Sequence, residues 1–451
     1  MEQLDRNFGF FTVFTTVVGM VIGSGIFVRA NTVFSLTEAP GVGIAIWILA
    51  GIISLAGGLT VAEIGAAIPE TGGMISWIER VFGKKMGFIY GWTQVVVYLP
   101  ATMAALGIVF GIQTSIFLGL DPNIYQVPIA IGVILFLGIM NSLSSKLGGG
   151  IQVLSTFGKL IPLFAIIVYG LLYGIKEGGN FTPFINMAPS HGKNIFVALG
   201  AVMTAIMYAY DGWIGCGCLA GEVKNPGKTL PKAIMSGLIL VIIVYAAINI
   251  AFLSVLPWDH LARTQTPASD VARVLFGPLG EKIIGVAVLI SIFGTINGYM
   301  LTSIRVPYAM AIEEMLPFSR TLGHVSKKTG TPINSSIFFI VSSILYTLTG
   351  KFDLLADTSM FVIWTFYVLV FVGVLILRRK EPALLREYLV PWYPVTPIVA
   401  IVGGIYVVGA TFLNMPLYSI GAIVLSVAGL PIYTYLMKKK QEKVVILKES
   451  L

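Results

Sequence analysis

Apolar runs of about 20 residues recur from one end of this 451-residue chain to the other, separated only by short polar gaps. With 56% hydrophobic residues, 11% charged residues and a mean hydropathy of +0.89, no soluble fold can hide so much apolar surface. The runs lie near 8–28, 41–66, 86–117, 127–144, 150–174, 195–220, 233–256, 282–312, 334–349, 353–377, 395–414 and 418–437. Each is long enough for a helix to cross a hydrocarbon core about 30 Å thick, the fourth and ninth only just. The sequence therefore predicts an all-α integral membrane protein of twelve transmembrane helices. The first run has Arg6 as its only preceding cation and continues into Arg29 without a small-residue cleavage pattern, so it is expected to be retained.

Lysine and arginine counts orient the bundle. With both termini on one face, 20 of the 29 cations fall on that face and 7 on the other, Arg29 among them, while Lys159 and Arg305 fall inside spans. The termini are expected to be cytoplasmic. The formal charge of +8 is accounted for by topology and calls for no nucleic acid. Cys216 and Cys218 sit two apart on one helix, too close to bridge, and the three histidines fall in separate loops. No metal or cofactor is expected.

Two spans are interrupted. In the first, Gly23-Ser24-Gly25 breaks the run Phe10 to Val28; in the sixth, Tyr208-Ala209-Tyr210-Asp211-Gly212 puts a carboxylate and a glycine near mid-depth. Lipid offers no replacement hydrogen bonds, so an interrupted helix there points to a binding site, and matched breaks in two halves point to a secondary transporter with an inverted repeat. The expected division is 1–175 for the first five-helix repeat, 195–380 for the second, and 381–451 for helices eleven, twelve and a basic tail.

Inversion sets the two breaks side by side. The second half of span one presents free N–H groups and a positive dipole end, suited to a carboxylate; the first half of span six ends in free carbonyls, suited to an ammonium. An α-amino acid carries both. Ile22, Gly23, Ser24, Gly25, Ile26, Tyr208 and Ala209 are the candidate binding segment, although Gly19-x-x-x-Gly23 also fits a helix-packing interface. Tyr98 and Thr102, one turn apart on span three, either line the cavity or pack. Asp211 caps the second half of span six, carries a coupling proton or is held by other polar pairing. Tyr208 is placed as a gate and Trp213 as a packing residue. Lys159 lies about 13 Å of helix into span five, beyond comfortable snorkelling reach, and must face the interior, where a fixed cation can bridge the unwound carbonyls of span one. Pro100 and Pro162 are read as kinks.

Four stretches carry a family resemblance: Val21-Ile22-Gly23-Ser24-Gly25-Ile26-Phe27; Ile68-Pro69-Glu70-Thr71-Gly72-Gly73; Tyr208 to Trp213 followed by Glu222-Val223-Lys224-Asn225-Pro226; and Phe293-Gly294-Thr295-Ile296-Asn297-Gly298 with Ser303-Ile304-Arg305. In this order they resemble the L-type amino acid transporter branch of the amino acid-polyamine-organocation superfamily and its bacterial serine/threonine exchanger-like members. The resemblance implies a leucine-transporter-like 5+5 inverted repeat, sodium-independent alternating access and obligatory exchange of neutral amino acids. It also implies that Lys159 stands in for a sodium ion and that Tyr245 in span seven bears on substrate control. Tyrosine at position 208, where many relatives carry phenylalanine, favours small or polar substrates such as alanine, serine or threonine. The loop from Gly119 to Gln126 lacks the cysteine with which animal relatives bond a single-span subunit. A prokaryotic inner-membrane monomer working without that subunit is expected.

The alternatives are a proton-coupled permease of the same fold using Asp211, Glu63 or Lys159, and an amino acid sensor that does not transport. A channel would need more intramembrane polar residues, and a hydrolase a nucleophile, base or metal set that no span contains.

Overall fold

The computed structural model describes residues 9–68, 73–143, 145–185, 195–215, 223–327 and 329–449. Cys216, Cys218, Glu222, His191 and the Pro69–Gly72 part of the second motif lie outside them. Every regular element among the described residues is a helix, with no strand among them.

Ten helical segments are long and apolar enough to cross a bilayer, the broken span six among them. An eleventh span is the pair Phe10–Val21 and Gly25–Thr37, bent by 44°. The predicted ninth span is Ile333–Thr347, whose 15 residues reach about 22 Å, short of the full hydrocarbon thickness. The predicted twelve thus resolve into eleven full-length spans and one short helix. Several helices open on proline at the first turn, Pro40, Pro226, Pro267 and Pro416, where the missing N–H costs nothing.

Several spans are longer than their apolar runs. The second half of span one continues to Thr37, and span eight begins at Pro267, turning at Gly277 (φ 73°) before its apolar stretch. A short helix, Met74–Phe82, buries Met74, Trp77 and Ile78 while its other face is open, and Trp77 Nε1 donates to Ile68 O at 3.0 Å. Pro100 acts through its missing donor: it has no N–H for the carbonyl of Val96, the helix forms a π turn over Gln94–Tyr98, and the Tyr346 hydroxyl from the ninth helix donates to Val96 O at 2.9 Å.

Span seven, Pro226–Val255, is the central post, packed against spans two, one and five, while span five packs against span eight. At its middle, Trp47, Tyr210 and Tyr245 form a buried aromatic cluster with centroids 4.9 Å apart for the two tyrosines and 5.4 Å for Trp47–Tyr245. Trp213 is likewise a packing residue, buried against Tyr367. Span eleven, Val395–Asn414, packs on spans ten, two and six; span twelve is the more peripheral, largely exposed outward.

Candidate functional site

The break in span one is best followed carbonyl by carbonyl. A continuous helix would satisfy Gly19, Val21 and Ile22 through the N–H groups of Gly23, Gly25 and Ile26. Instead, Ile22 N closes the last turn on Val18 O at 2.9 Å and the chain bends. Lys159 Nζ donates to Gly19 O at 2.5 Å and to Ile22 O at 2.7 Å, and the Tyr245 hydroxyl lies 2.8 Å from Val21 O. Lys159 is 3% exposed, so its ammonium is committed to these carbonyls.

Span six ends its first half at Ala209, whose carbonyl lies 2.9 Å from the same Tyr245 hydroxyl. The turn beyond it needs Gly212, at φ 107°, before the short helical turn at Trp213. Gly25 faces this end so closely that a Cβ there would sit 2.6 Å from Ala209 Cα. The two broken helices therefore touch through backbone, with Tyr245 bridging their carboxyl ends.

Asp211, one of whose expected roles was other polar pairing, is ringed by phenols. Its Oδ2 accepts from the hydroxyls of Tyr98 at 2.5 Å and Tyr299 at 3.4 Å, and Oδ1 from Tyr367 at 3.0 Å. Spans three, eight and ten thus each supply a phenol to a carboxylate that lipid depth would otherwise make costly by several kcal/mol. Tyr98 is spent on this contact.

Between the broken helices lies a cavity of about 20 Å³, lined among others by Gly23, Ser24, Thr102, Tyr208, Asp211 and Thr295. That is room for roughly one water, so the site is closed. Ile26 is fully buried in the core, and Ile22 contributes its carbonyl to the break; neither side chain lines the cavity.

The closure has an identifiable lid. The Tyr208 ring meets Phe352 edge-on at 5.6 Å, and the Arg29 guanidinium sits 5.1 Å from the Tyr208 ring and 4.4 Å from that of Phe352. Arg29 also pairs with Asp353 and, at 3.1 Å, with Asp357. This corrects the expectation for Arg29. It was assigned to the flank of a span ending at Val28, but the second half-helix runs nine residues further and buries it completely. Beyond the lid is an open cavity of about 490 Å³, lined by residues that include Asn31, Gln113, Lys351, Phe352 and Asp353.

Glu63 is held far from the lid. It accepts from Arg378 Nε and Nη2 at 2.7 and 2.6 Å and from Val390 N at 2.8 Å, with Arg386 3.7 Å away. A buried carboxylate so paired locks span two to the end of span ten and the segment after it. In that segment Glu381 takes both arms of Arg80, which hold its carboxyl below the usual range, and burial pushes the Tyr388 phenol up to about 12. Among the described residues no cluster of histidine, cysteine, aspartate or glutamate is arranged to hold a metal.

Comparison with known proteins places this geometry. The sequence profile of the Amino acid permease family matches residues 8–437. The chain is 39% identical over 439 residues to the serine/threonine exchanger SteT of Bacillus subtilis (strain 168), covering 97% of this chain and 98% of that protein. It is 29% identical over 422 residues to the b(0,+)-type amino acid transporter 1 of Mus musculus, covering 92% and 84%, and 28% identical over 445 residues to the Asc-type amino acid transporter 1 of the same organism, covering 95% and 81%. With its bundle of apolar helices, the chain belongs to the amino acid permease family and is a multi-pass membrane transporter of amino acids, not an enzyme.

Proposed function

We propose that this protein is a sodium-independent exchanger of small neutral L-amino acids, such as alanine, serine and threonine, working by alternating access. The observation that carries the reading is the ammonium of Lys159 on the carbonyls of Gly19 and Ile22. A cation built into the protein occupies the negative end of the first half-helix, where a diffusible cation would otherwise be needed. Substrate would bind where Gly23, Ser24, Thr102 and Tyr208 meet, its carboxylate toward the N–H groups opening the second half of span one. The near-full-length similarity to a serine/threonine exchanger supports both exchange and the substrate class. The same reading takes 1–175 and 195–380 as inverted halves, puts both termini in the cytoplasm, and has the chain work as a monomer without a disulfide-linked subunit.

Uptake of labelled L-serine into proteoliposomes tests this. Serine should enter vesicles preloaded with unlabelled serine and not empty ones, and replacing external sodium by choline should change nothing. Lys159→Ala removes two charge-assisted hydrogen bonds of about 1.5–3 kcal/mol each and should slow exchange at least tenfold. Equal uptake into empty vesicles would refute exchange. Asp211, the buried carboxylate facing the cavity, favours proton coupling as the second reading, which an inward proton gradient driving uptake into empty vesicles would support.

A further inference from the structure

The 490 Å³ cavity beyond the lid is within the range of small-molecule sites, and its walls are not uniformly apolar. Lys351 and Asp353, two residues apart at the start of span ten, put a cation and an anion on one wall. The Asp353 side chain is 63% exposed even while it pairs with Arg29, leaving part of its carboxylate facing the cavity. Gln113, on span three, also lines this cavity; it is 6% exposed and donates Nε2 to Gln265 O at 2.6 Å. Its Oε1 is a further acceptor, in a side chain that lines the same cavity.

We propose that this cavity is a second amino acid site, occupied on the way to the closed central one. The ammonium of the incoming amino acid is taken by Asp353 and Gln113 Oε1, and its carboxylate by Lys351. Two opposite charges side by side suit a zwitterion; a simple anion or cation would meet one of them unfavourably. The consequence reaches the lid, because the ammonium at Asp353 competes with Arg29 for one carboxylate. Arrival of substrate loosens the ion pair that holds Arg29 between Tyr208 and Phe352, so the lid opens when an amino acid is present to pass. The inference rests on the transport reading above and on the outward assignment of the loops around this cavity.

Half-saturation for L-serine, measured separately from the external and luminal sides of oriented proteoliposomes, tests it with Lys351→Glu and Gln113→Leu. Loss of one charge-assisted contact should raise the external half-saturation about tenfold in Lys351→Glu, with the luminal value and the rate at saturating serine little changed. Gln113→Leu should shift the same value in the same direction, and Lys351→Ala replaces the reversal if that variant does not insert. External half-saturation unchanged in these variants, or shifted equally on both sides, would overturn the proposal. Net uptake into empty vesicles would overturn the exchange reading alone, since the two half-saturations can be compared for either kind of transport.

Discussion

Replacing Gly25 by alanine puts a methyl carbon 2.6 Å from both Cα and Cβ of Ala209 and 3.3 Å from its nitrogen. Carbon atoms rest about 3.5–4.0 Å apart, so the helices must separate by about 1 Å, and no flexible side chain stands in between to yield. Overpacking of this kind costs about 1–3 kcal/mol. A control of opposite sign is available in the same protein. At Gly132, inside the helix Pro122–Leu143, an added Cβ meets nothing within 4 Å, so alanine should stabilise by up to about 1 kcal/mol through helix propensity alone. Adding Ala209→Gly to Gly25→Ala removes one of the two clashing atoms and leaves the Cα, so rescue should be incomplete. Denaturant titration in detergent micelles measures all four proteins. If Gly25→Ala were as harmless as Gly132→Ala, the close backbone contact between the broken helices, and the arrangement of the site that rests on it, would be refuted.

Tyr346→Phe should cost about 1–3 kcal/mol in the same titration by stranding Val96 O, and less in a Pro100→Ala background, where the helix regains a donor; equal cost in both backgrounds would sink this account of the π turn. Glu381→Gln should produce a small loss of stability at neutral pH. Because Arg80 depresses the folded carboxyl, its contribution is complete above the ordinary carboxylate range and fades as pH falls through the lower folded value, so variant and parent should converge in acid; a gap that widens in acid contradicts the assignment.

Both breaks were legible because lipid makes them costly: two glycines flanking a serine, and a carboxylate beside a glycine, have few uses at mid-depth. The burial of Lys159 followed from side-chain length against helix rise. Arg29 was missed because hydropathy ends a span at the first charge, whereas its partners Asp353 and Asp357 lie more than 300 residues away and look ordinary at the start of another helix. The phenols around Asp211 were invisible for a related reason: Tyr98, Tyr299 and Tyr367 come from three spans, and the sequence does not say which faces meet. The helix Met74–Phe82 is strongly amphipathic, but its nine residues carry no long apolar run and so did not register as a span. The short ninth helix shows the converse, an apolar run whose length in sequence exceeds its length as a helix.

A phenol carries one proton. Tyr245 stands within reach of the last carbonyls of both broken helices, so at any instant it can donate to Val21 or to Ala209 and never fully to both. The two halves of the transporter are thus rivals for a single donor, and satisfying one exposes the other's oxygen to whatever cation is at hand. A second donor at either carbonyl would end that rivalry.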